Sequence, residues 1–290
     1  MQDSTPDVNT AVLRLRCPDQ PGVVAQVASL LASTGANIEH AEQHGDQSTG
    51  EFFQRIEFTY PAGTNFMTAL EWGLAELAPK LELTSSINHI PAKTRVAILC
   101  SKQGHCLYDL LSRWELGEMP GDLQLVASNH DTHKEAVERT GVPFHHLPVD
   151  PDDRRRQQEQ LLELLQASDI DLVIMARYMQ ILPDFLVDAF QHRIINIHHS
   201  FLPAFPGGRP YHQAHARGVK LVGATAHYAT VDLDEGPIIE QDVVRVNHRF
   251  SPEALARSGR DLEMVVLSRA VRAHLEHRVV VHDNRTIVFG

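Results

Sequence analysis

The sequence predicts an α/β chain of two modules. The first is a ferredoxin-like βαββαβ unit; the second is a larger unit with an open, mostly parallel sheet and helices on both faces. Three observations predict it. "AVLRLRC" (11–17) alternates apolar and polar residues, as a half-buried strand does. "RVAILC" (95–100) is nearly continuous apolar sequence, as strands buried on both faces are. Beyond it, helical and strand-like stretches take turns, which implies parallel strands joined by crossovers. The character changes at "PAKT" (91–94), so the modules are placed at 1–91 and 92–290.

In the first module a turn, "PDQPG", follows the opening strand. "VVAQVASLLASTG" then puts Val24, Val27, Leu30 and Leu31 on one helical face, with Gly35 as the C-cap. "ANIEHAEQ" and "GEFFQRIEFTY" read as two strands around a Gly/Asp/Ser turn. "NFMTALEWGLAELAPK" reads as the second helix and "LELTSSINHI" as the last strand.

In the second module "LQLVAS", "FHHLPV", "DLVIMA" and "IINIHH" read as strands, and "KEAVERTG" and "RRRQQEQLLELLQAS" as helices. A long β region broken by a turn spans 223–246, and a helix runs from about 252 to 277. Such sheets bind ligands at the carboxyl ends of their strands.

The chain has 290 residues, 43% hydrophobic and 22% charged, enough for a sizeable core. No run approaches the ~18 apolar residues of a membrane span. The start, "MQDSTPDVNT", lacks a basic-then-apolar signal, so a cytoplasmic location is expected. Cys17, Cys100 and Cys106 are odd in number and form no CxxC pair; neither a disulfide framework nor a zinc site is expected. Cys106 reads as an inert small residue. The net charge of −11 argues against nucleic-acid binding, and "DDRRRQ" (152–157) reads as a solvated helix start.

The chemistry gathers at one place. In "IINIHH", Asn196 and His198 share one strand face, while Ile195 and Ile197 share the other with His199. The loop that follows carries Pro203, Pro206, Gly207, Gly208 and Pro210, which would shape it tightly. Asp232, Asp234 and Glu235 occupy a turn further on. An amide, an imidazole and a carboxylate suit acyl transfer: the acid orients the imidazole or takes a proton, and the other two stabilise oxyanion charge. The His-rich stretches "HHLP" and "NIHH" supply no reliable triple of metal ligands.

The segment "NIHHSFLPAFPGGRPYHQAHARGVKLVGATAHYATVDLDEGPIIEQ" resembles the signature region of the folate-dependent formyltransferases, and the likeness runs from about residue 95 to the C-terminus. "CPDQPGVVAQVASLLASTGANI" resembles the first strand-turn-helix of an ACT domain. Together the two resemble the formyltetrahydrofolate deformylase family. That resemblance implies hydrolysis of 10-formyltetrahydrofolate to tetrahydrofolate and formate, feeding purine synthesis and one-carbon balance. It implies Asn196, His198 and Asp234 as catalytic residues. Substrate would lie against Met179, Gln180, Ile181 and Leu182, through the backbone of Gln180 and Leu182, and against Ala229, Thr230, Val231 and Asp232. Met179 and Ile181 can also be read as plain core. It implies no cofactor or metal beyond the folate substrate, an amino acid effector at the ACT-like module, a homo-oligomer, and no nucleic-acid or membrane partner. The alternative within the same fold is formyl transfer to an amine such as glycinamide ribonucleotide. "CSKQGHCL" (100–107) speaks against it: Lys102, Gln103 and His105 stand where small residues would let a phosphate approach backbone N–H groups. Pro206 stands where a more basic residue is expected.

Overall fold

Alternation along residues 8–18 makes β1 (Val8–Pro18), one of the two inner strands of the N-terminal sheet. The computed structural model describes residues 8–62, 65–90, 94–203 and 210–290, so Pro206, Gly207 and Gly208, and the side chain of Pro210, lie outside what is described. It divides into two units, Met1–Ala92 with Phe289–Gly290, and Lys93–Val288.

In the first unit, α1 (Val23–Thr34), β2 (Asn37–Asp46), β3 (Glu51–Pro61), α2 (Phe66–Leu81) and β4 (Thr84–Ile90) complete the expected βαββαβ order. The sheet is antiparallel, in the order β2-β3-β1-β4. Its core joins Val27 and Leu31 of α1 and Leu70 and Leu74 of α2 to Leu13, Ile56 and Phe58 of the sheet. The buried stripe of α1 is Val23, Val27 and Leu31, spaced i, i+4, i+8. Val24, expected on that stripe, is instead 41% exposed, because the stripe turns one position earlier. Gly35 caps α1 at φ +90°, its N–H reaching back into the last turn.

The second unit runs β5 (Arg95–Cys100), α3 (His105–Glu115), β6 (Asp122–Ser128), α4 (Lys134–Glu138), β7 (Phe144–His146), α5 (Arg154–Ala167), β8 (Leu172–Ala176), α6 (Asp184–Ala189), β9 (Ile194–His198), α7 (Pro210–Arg217), β10 (Leu221–Tyr228), β11 (Ile238–Arg245), α8 (Pro252–Leu275), β12 (Val279–His282) and β13 (Arg285–Val288). Its seven-stranded sheet has the order β11-β10-β9-β8-β5-β6-β7. The β5, β6, β7, β8 and β9 pairings are parallel, and β10 and β11 are antiparallel. Side chains of α3 and α8 cover one face and those of α5 and α6 the other, which accounts for the unbroken apolar strands. Helices α3, α6 and α7 and the β12–β13 hairpin were not expected. "FHHLPV" keeps only three residues as strand. Among the described residues no helix is long and apolar enough to cross a membrane.

Candidate active site

Strand alternation settles the first two residues. Ile195 and Ile197 of β9 pack into the cluster beneath α3 and α8, so Asn196 and His198 take the opposite face. His198 is 6% exposed. β10 runs antiparallel to β9, and its register sets His227 directly opposite Asn196. Asn196 Nδ2 lies 3.2 Å from His227 Nε2, and His227 Nδ1 lies 2.9 Å from the Tyr228 carbonyl. A carbonyl only accepts, so Nδ1 carries the hydrogen and Nε2 accepts from the Asn196 amide.

Asp234 arrives from the loop between β10 and β11. Tyr228 N–H donates to Pro237 O at 2.9 Å and Ala229 N–H to Ile194 O at 2.9 Å, pinning both ends of that loop to the sheet. Gly236 allows the closure, since a Cβ there would stand 1.8 Å from Tyr228 O. Asp234 adopts φ +60°, a region Asp tolerates better than most residues. Its Oδ2 lies 3.2 Å from His198 Nδ1 and its Oδ1 3.6 Å from His227 Nε2. The hydrogen bond from His198, with the His227 ring beside Oδ1, holds its acidity well below the usual carboxylate range, against burial, which acts the other way. Of the three acids in this turn only Asp234 faces inward; Asp232 and Glu235 are exposed, and the Asp232 carbonyl accepts from Thr230 Oγ1 and Glu235 N.

The imidazole of His198 is therefore held by one nitrogen. Nδ1 faces a carboxylate, and among the described residues the buried Nε2 has no hydrogen-bond partner. A neutral ring so placed presents a lone pair at Nε2.

The substrate-facing expectations fall into two places. Met179, Gln180, Ile181 and Leu182 line a cavity of ≈ 510 Å3 together with Tyr178 and with Arg154 and Gln157 of α5. Met179 and Ile181 are 58% and 69% exposed, so the alternative reading of them as core does not hold. Ala229, Thr230, Val231 and Asp232 do not line that cavity, although Ala229 and Leu182 pack on one apolar cluster with Tyr178. Ser101, at the end of β5, joins the strand ends: its hydroxyl donates to Asn129 Oδ1 at 2.6 Å and accepts from Met179 N at 3.3 Å. "DDRRRQ" is only partly a solvated face, since Arg155 pairs with Glu159 while Arg154 lines the cavity.

His227 escaped the sequence reading. The signal that could have found it is alternation in "GATAHYAT", where a polar His interrupts small and apolar residues in the strand after the Asn-x-His strand. The thiols take no part: Cys17, Cys100 and Cys106 are free and buried, and burial pushes Cys100 up to about 11 and Cys106 further.

Known proteins match this architecture. The formyl transferase family model covers residues 94–271 and the ACT domain model residues 11–60. The chain is 51% identical to formyltetrahydrofolate deformylase of Synechocystis, over 97% of this chain and 99% of that one. It is 50% identical to the Bacillus subtilis protein of the same name, over 96% and 93%. A solved formyltetrahydrofolate deformylase from Pseudomonas syringae pv. tomato superposes with a TM-score of 0.93 at 45% identity, over 99% of this chain and 96% of that one. With both modules matched in order and nearly end to end, the chain belongs to the formyltetrahydrofolate deformylase family.

Proposed function

We propose that this protein hydrolyses 10-formyltetrahydrofolate to tetrahydrofolate and formate, with Asn196, His198 and Asp234 as the reacting set and His227 as their brace. The observation that carries this is His198, backed by a carboxylate on Nδ1 and, among the described residues, without a hydrogen-bond partner at the buried Nε2. His198 Nε2 takes a proton from water as the water oxygen bonds to the formyl carbon. Negative charge collects on the former carbonyl oxygen. One hydrogen of the Asn196 amide goes to His227, and the other is available to that oxygen. The C–N10 bond then breaks, the imidazolium returns its proton to N10, and formic acid ionises to formate. Asp234 keeps its charge throughout and orients the ring. A carboxylate held so far toward its ionised form is a weak base, so the proton-accepting role passes to His198. The exposed apolar pair Met179 and Ile181 supports a flat, partly apolar substrate at the cavity beside them.

The relatives that span both modules are named for deformylation, which sets transfer to an amine aside. Formate release with and without glycinamride ribonucleotide tests this: release that needs no nucleotide is expected, and transfer confined to its presence would refute it. Asn196→Ala and His198→Ala should each lower kcat about 100-fold, or ~3 kcal/mol.

The ACT-type module supports control by an amino acid. Helix α1 begins after the "DQPG" turn at Gly22, with no side-chain cap among the described residues, and a helix start of this kind suits a carboxylate. Isothermal titration with an amino acid panel should show one binder that alters formate release, and a blank panel would leave the module a subunit-pairing device in a homo-oligomer. The buried free thiols support a cytoplasmic setting.

A further inference from the structure

One carboxylate lies sealed behind the candidate site. Glu263 of α8 is 1% exposed, and its partners come from three other parts of the unit. His105 Nε2, at the start of α3, donates to Oε2 at 2.7 Å. Tyr211 of α7 donates its hydroxyl to Oε1 at 2.8 Å. Arg177 Nε, just past β8, stands 3.5 Å from Oε2 and donates to Gln103 Oε1 at 3.1 Å. Gly259, one turn before Glu263 in α8, makes room for this contact: a Cβ there would come 1.9 Å from the Tyr211 hydroxyl.

Two of these partners lead outward. Arg177 has φ +63°, which a long L side chain adopts only when its surroundings hold it. That turn launches Tyr178–Leu182, the segment along the ≈ 510 Å3 cavity. Tyr211 leads the other way. Its ring centroid is 6.4 Å from that of His199, and His199 stacks on His198 at 5.1 Å and 28°.

We propose that Glu263 is a positioning residue, a single buried anchor that holds the substrate-facing turn at Arg177 and, through Tyr211 and His199, the ring of His198. Burial pushes Glu263 toward its neutral form, but the His105 hydrogen bond, the Arg177 charge and the Tyr211 hydroxyl outweigh it and keep it ionised. The ligand atoms of His105, Cys106 and Glu263 lie within 4.8 Å of one another, a grouping that could suggest a metal. The Arg177 guanidinium at Oε2 already supplies the positive charge there, and the His105–Glu263 pair is closed at hydrogen-bond distance.

The anchor rests on His198 being the reacting imidazole, and it makes a divided prediction. Formate release and thermal melting are measured on full-length variants. Tyr211→Phe should lower kcat about fivefold to tenfold with KM within about twofold. Arg177→Lys keeps the charge but loses the planar fork, and should raise KM about fivefold with kcat within about twofold. Glu263→Gln should show both changes. Loss of activity in all three only in proportion to loss of folded protein, or parent kcat and KM in Tyr211→Phe and Arg177→Lys, would overturn the proposal. Where Glu263→Gln does not fold, the other two variants decide. His198→Ala separates the two levels. Parent turnover in that variant removes the underlying reading and the anchor with it. A crippled His198→Ala beside unaltered Tyr211→Phe and Arg177→Lys removes the anchor alone.

Discussion

In the proposed reaction Asp234 serves without exchanging a proton. Both its oxygens face imidazoles, and that setting, led by the His198 hydrogen bond, keeps it charged far below neutral pH. Asp234→Asn preserves shape and removes charge, so His198 loses the partner that fixes its tautomer. We expect kcat to fall at least about 100-fold with little change in KM. Stability should respond as well. The folded acidity lies below that of the unfolded chain, so the contribution is fully present above the unfolded value near pH ~4 and is lost as pH falls through the lower folded value. Melts at falling pH should drop more steeply for the parent than for Asp234→Asn; parallel curves would contradict the depressed acidity. His199 behaves differently: burial first, then Arg177 and His198, lowers it to about 4, so it stands neutral at working pH as a packing ring. Asn196 and His198 were legible from alternation in one strand. Asp234 took its role from resemblance, because the turn holds three acids and spacing does not say which one faces inward. His227 stood out in its strand pattern, but its partner Asn196 needed the register between β9 and β10; Glu263 needed the packing of α8 against α3, α7 and the turn after β8.

The loop from β10 to β11 is the element whose geometry matters most. Its return to the sheet passes so close to Tyr228 O that only glycine fits at 236. Gly236→Ala should displace Asp234 and reduce formate release about tenfold or more, at a stability cost of ~1–3 kcal/mol for overpacking. Kinetics with an accompanying melt would check this, and a fully active variant would show that the loop has slack. Among elements of ten or more residues β1, α1, α2, α5 and α8 were legible, whereas the eleven-residue α3 was not read. The six-residue α6 and eight-residue α7 offer barely two turns of pattern. The stripe of α1 was misplaced by one position because five apolar residues at 23, 24, 27, 30 and 31 allow two overlapping faces.

At the scale of the molecule, the chain divides into two units with separate cores. The core of the N-terminal unit is built from α1, α2 and its own sheet. The larger unit wraps two clusters around β5, β8 and β9. The reversal of chain direction after β9 has a further consequence. Because β10 returns alongside β9 without a crossover, every polar group assigned to the chemistry, from Asn196 to Asp234, belongs to one continuous stretch of polypeptide. Few long loops must close before that stretch can assemble. Amide protons of β9 and β10 should thus exchange with deuterium at a shared rate, as a single cooperative piece. Hydrogen exchange followed by mass spectrometry would measure it, and strands that open independently would show that the reaction centre is stitched together late.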